Sequence, residues 1–80
     1  MTVNADSVAR AIYARRVFLM TRKNQNHTVV QFDSLPPATK SGAWQEADGI
    51  LTQVVADKSV VGEAAIMAAC LKMAIPDANP

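Results

Sequence analysis

Arg15, Arg16, Arg22 and Lys23 are half of the chain's eight basic residues, and they recur as pairs seven positions apart. On a helix that repeat places both pairs on one side, about two turns apart. Guanidiniums clustered in this way can hold a carboxylate or a phosphate through paired hydrogen bonds. Tyr13 or Trp44 could add a stacking surface for a ligand ring. The plainer reading is a solvated helix face whose cations complement the negative end of the helix dipole.

Other chemistry finds little purchase. Glu46, Asp48 and Glu63 are candidate acids or bases, but Glu46 and Asp48 stand two apart and do not share a helix face. His27 is the single histidine and Cys70 the single cysteine, too few for a metal site, and Cys70 has no disulfide partner within the chain. Asn26-His27-Thr28 fits a glycosylation sequon, which has meaning only in a secreted chain. No basic and apolar leader follows Met1, so no secretory signal is expected. There is no glycine-rich phosphate loop, GxSxG or HExxH. The expectation is a protein that is not an enzyme and uses no cofactor or metal.

These residues need elements to hold them. Asn4, Asp6 and Ser7 can cap a helix over about residues 5 to 22. Val8, Ile12 and Leu19 lie on one side of it, Ala9, Tyr13 and Met20 on an adjacent side, and Phe18 away from both. Residues 24 to 27 read as a polar turn, and 28 to 33 as an extended connector that docks Val30 and Phe32 on the helices. Asp33 and Ser34 offer further caps before a proline-led turn at 35 to 41. Trp44, Ala47, Ile50, Leu51, Val54 and Val55 then recur in steps of three and four, which predicts a helix from Ser41 to Ala56. Gly42 predicts either a break or a close backbone approach. Trp44 is expected to be largely buried with Phe32, Leu35 and Leu51.

Asp57 or Ser59 can cap a third helix over 60 to 74, ended by Pro76. From Val60 to Ile75 only Gly62, Glu63 and Lys72 are not apolar. That run falls short of the roughly 20 residues needed to cross a bilayer. A helix apolar on nearly every face cannot be covered by two neighbours alone. Val61, Ala64, Ala65, Ala68 and Leu71 are therefore the expected oligomer interface, most simply a dimer.

The 80 residues, half of them hydrophobic and with net charge +1, fit one all-α domain of three helices with an extended connector between helices 1 and 2. Near-neutral charge gives no case for DNA, RNA or a membrane surface. A reducing cytoplasm is the simplest location for the lone cysteine.

The segments VARAIYARR, FDSLPPATK and W-x-x-A-D-x-I-L, spanning roughly residues 8 to 55, resemble a pattern in small phage and prophage helical accessory proteins. They are similar, more faintly, to the ryanodine-receptor repeat domain. Phe32 stands where tryptophan is common before Leu-Pro in this pattern, and the Ala-rich tail after residue 57 falls outside it. The first resemblance implies a binding protein that inhibits or redirects a host protein, for example a defence component, within the host cytoplasm. The second implies a module that sequesters a nucleotide or nucleotide-derived signal. Neither supplies catalytic residues. In both readings Tyr13, Arg15, Arg16, Arg22 and Lys23 are the candidate partner- or ligand-binding residues.

Overall fold

A computed structural model describes residues 3 to 23 and 29 to 76. Among them the chain forms α1 (Ala5–Lys23), a short 3₁₀ turn (Phe32–Ser34), α2 (Pro37–Ala56) and α3 (Glu63–Ala74), with no strand. The all-α expectation of three helices holds. His27, with the sequon around it, lies outside the described residues.

Asn4 and Ser7 start α1 with a reciprocal cap. The Ser7 amide donates to Asn4 Oδ1 at 2.8 Å, and the Asn4 amide donates to Ser7 Oγ at 2.9 Å. Two otherwise orphaned donors are thereby satisfied at one end. The first half of α1 supplies Val8, Ala9 and Ile12 to the core, all essentially inaccessible. Met20, by contrast, is exposed, as is Phe18.

The connector reaches the core in one step. Val29 and Val30 remain half exposed, whereas Phe32 drops to 6% exposure. The 3₁₀ turn is closed by the Ser34 amide on the Gln31 carbonyl and the Leu35 amide on the Phe32 carbonyl. Tyr13 meets the Phe32 ring edge-on with centroids 5.7 Å apart, and Trp44 meets it tilted at 6.2 Å. The Arg10 guanidinium covers the same ring at 4.9 Å.

α2 begins at Pro37, earlier than the expected Ser41, with Pro36 at the N-cap. Proline costs nothing there because first-turn amides have no partner within the helix. The helix runs unbroken through Gly42, and a Cβ built at Gly42 or Gly49 would meet nothing within 4 Å. Both expectations for Gly42, a break and a close approach, therefore fail: the glycines sit on an open face. Gly49→Ala should consequently raise stability by about 0.5–1 kcal/mol, through helix propensity and a less flexible unfolded chain. A thermal midpoint unchanged or lowered in that variant would contradict this.

The buried stripe of α2 is Ala47 and Val54, with Ala43, Ile50 and Leu51 packed beside them. That stripe is rotated from the expected one. Val55 is half exposed, and Trp44 is 37% exposed at the margin. The expectation of a largely buried Trp44 is corrected: Ala43 takes the inward position, and the indole lies over the end of the core.

α3 starts at Glu63, not at Val60, and Asp57 and Ser59 do not cap it. Asp57 Oδ1 instead accepts from the Ser59 amide at 3.0 Å and from Ser59 Oγ at 2.7 Å, closing a local turn. These Ser59 hydrogen bonds hold the Asp57 carboxyl below its ordinary value. The N-cap is Gly62, at φ +95°. Glycine adopts that backbone without a steric penalty, which a Cβ would impose. α3 then buries Cys70 completely and packs Ile66, Met67, Ala69, Leu71 and Ala74 against the core. Burial pushes the Cys70 thiol up, so it is less available as thiolate. No helix among the described residues is long and apolar enough to cross a membrane.

Candidate functional site

The repeat of arginines along α1 suggested one patch. The helix divides it by side-chain direction. Arg16 faces α2, where its two terminal nitrogens donate to Glu46 Oε1 at 2.9 Å and Oε2 at 3.0 Å. A longer bond of 3.4 Å reaches the Ala74 carbonyl at the end of α3. The Glu46 hydrogen bonds raise the Arg16 pKa above its ordinary value. Arg16 thus joins all three helices. The pair is about half exposed, so water limits its worth to about 1 kcal/mol despite the two-point geometry.

Arg15 and Arg22 go elsewhere. Their guanidiniums lie 5.3 Å and 5.8 Å from the centroid of the Phe18 ring. They approach from the turn before and the turn after, as residues three and four away on a helix must. Phe18 is 48% exposed. The result is an aromatic ring on the surface flanked by two cations. Tyr13 is half-buried, and its hydroxyl donates to the Val30 carbonyl, fixing the connector to α1. Lys23 is the last residue of α1, and its side chain lies outside the described part.

Beside Phe18 runs a groove of about 390 Å³. Ala14 and Val17 of α1, Val29 of the connector and the Phe32 ring give it an apolar lining. Arg10 and Asp33 close one end. A second groove, of about 410 Å³, separates α1 from α2 between Tyr13 and Gly42, with the Arg16–Glu46 pair along it. A third, of about 340 Å³, lies between Val54, Val60, Ala69 and Met73.

Sequence reasoning missed the polar network at the other end of α1. Arg10 Nε donates to Asp6 Oδ2 at 3.0 Å, and Arg10 Nη2 donates to Asp33 Oδ1 at 2.6 Å. Trp44 Nε1 donates to Asp6 Oδ1 at 2.9 Å. The available signal was Asp6 standing four residues before Arg10, a spacing that favours a helical ion pair. Nothing local pointed to Asp33 or Trp44 as further partners. Arg10 and then Trp44 hold the Asp6 carboxyl below its ordinary 3.8, and Arg10 does the same for Asp33.

Lowered carboxylate pKa values favour the folded state above the unfolded pKa, and that contribution disappears as pH falls through the folded pKa. The thermal midpoint should therefore be flat down to roughly pH 4 and then decline. Asp6→Asn should make the acid decline shallower. An acid limb as steep in Asp6→Asn as in the parent would show that this network is not its source.

The expected interface residues on α3 and just before it are not gathered into the core. Val61 is 78% exposed, and Ala64, Ala65 and Ala68 face water. Leu71 is partly buried against the core and lies at the edge of this surface. No group of three or more His, Cys, Asp or Glu among the described residues could hold a metal ion. Comparison with protein-family models, with curated proteins and with solved structures finds no match for this chain.

Proposed function

We propose that this chain is a small phage-type, non-enzymatic interaction protein that binds and inhibits or redirects a host protein in the host cytoplasm. The observation that supports this is the outward face of α3. Ala64, Ala65 and Ala68 of α3, with Val61 just ahead of it, present an apolar strip to water, and the opposite face of the helix is packed. Such a strip gains free energy, roughly 25 cal/mol per Å² of apolar area, when another protein covers it. Self-association through the same strip, as a two-fold dimer, is part of the proposal.

The alternative, a module that sequesters a nucleotide or nucleotide-derived signal, has less support. It needs an aromatic face for the base and a cluster of cations for the phosphates. Tyr13 and Trp44 both pack on Phe32, and Arg16 is held by Glu46. Purified protein that releases material absorbing near 260 nm on denaturation would reverse that preference.

The direct test is affinity capture from host lysate with the parent and with Ala68→Glu. A host protein held by the parent and lost by Ala68→Glu, at an unchanged circular dichroism spectrum, is the expected result. Equal capture by both would remove α3 as the binding surface.

A further inference from the structure

We propose that the groove between α2 and α3 is part of a two-fold interface, in which Lys72 of each copy meets Asp57 of the other. The inference rests on the self-association reading above and names the contact that fixes how two copies fit together. Lys72 is exposed and stands four residues after Ala68 and seven after Ala65, so it belongs to the outward face of α3. Ala69 and Met73, the next positions round the helix, line the groove. The apolar strip and the groove therefore adjoin at Lys72. Val54 and Val60 complete an apolar floor, and Met73 on its rim is 45% exposed. One partner surface can cover strip and groove together.

Charge selects a second copy as the occupant. Asp57, the C-cap of α2, lines the groove from the α2 side, and Lys72 lines it from α3. Among the described residues the ion pairs involve Arg10 and Arg16, and Lys72 joins none of them. Asp57 accepts from the Ser59 amide and hydroxyl through Oδ1, which leaves Oδ2 for a cation. Those bonds also hold its carboxyl below the ordinary value, so it is charged at neutral pH. A groove with one charge of each sign on its two sides is complementary to itself. Two-fold rotation brings each lysine to the other copy's carboxylate. A partner of a single sign of charge would match one side and be repelled by the other.

The test is light scattering across a concentration series on the parent, Lys72→Glu and Asp57→Lys, each alone and then the two variants mixed in equal amounts. Each variant alone sets two like-charged pairs across the interface. Its dimer should weaken by roughly tenfold or more. In the mixture both pairs are again of opposite sign, so the two-chain mass should return. The parent's dimer should also weaken with added salt. Circular dichroism checks that the variants keep their helices. Asp57→Asn, which retains an acceptor for Ser59, serves as the second variant if Asp57→Lys unfolds: mixed with Lys72→Glu, it should restore association in part. A parent of single-chain mass, variants that associate as the parent does, or a folded mixture that stays single would each overturn the inference. Host capture that is lost in Ala68→Glu, alongside any of those results, would defeat this inference while leaving the interaction reading intact.

Discussion

Phe32→Ala is expected to unfold this domain at ambient temperature. The ring is 6% exposed and lies among Tyr13, Trp44 and the Arg10 guanidinium. Truncation removes the surface on which all three rest and opens a cavity between α1 and α2. Losses of this kind run to about 3–5 kcal/mol. A small domain buries a limited fraction of its surface, and its whole stability is of the order of 5 kcal/mol. Phe32 also carries the connector into the core, so its loss frees residues 29 to 35 from α1. A chemical denaturation curve displaced by less than about 1 kcal/mol would show that the aromatic group is an ornament of the surface.

Trp44→Ala is expected to have the next largest effect, roughly 2 kcal/mol, below the value for a fully buried tryptophan because the indole is 37% exposed. Two contributions add here: contact with Phe32 and the hydrogen bond from Nε1 to Asp6. They can be separated by a double-mutant cycle of Trp44→Phe with Asp6→Ala, which removes the acceptor. A coupling energy measurably different from zero is expected. Strict additivity would mean that the indole nitrogen exchanges its partner for water without cost.

The identity and order of the helices were legible in the sequence, because the cap of α1 and the three-and-four spacing of α2 are local signals. Asn4 and Ser7 mark the start of α1, and Ala47, Ile50, Leu51 and Val54 mark the inward face of α2. The boundaries were less so. The start of α2 was expected four residues late because Gly42 was weighed as a breaker, whereas the open space around it leaves only a propensity cost. The start of α3 was set too early because Val60 and Val61 extend the apolar run. A turn at Asp57 and the positive φ of Gly62 decide the boundary instead.

The candidate site was legible as residue types and not as an arrangement. Sequence spacing places Arg15 and Arg16 side by side. Neighbours on a helix diverge by a large angle, and only the position of α2 determines that Arg16 meets Glu46 while Arg15 meets Phe18. Spacing places Phe18 away from both apolar sides of α1, but its contacts with Arg15 and Arg22 depend on rotamers that spacing does not specify. Spacing also leaves Trp44 undetermined: a stripe in steps of three and four is uncertain by one residue, and Ala43 packs against the core while the indole stays at the margin.

The central claim is that the outward face of α3 is covered by protein in solution. Light scattering on the full chain at tens of micromolar tests it directly, with Ala68→Glu as the paired sample. The parent should give twice the 8.6 kDa of one chain, and Ala68→Glu should give the mass of one chain with an unchanged helical spectrum. A parent of single-chain mass that neither associates nor loses host capture when Ala68 is charged would contradict it.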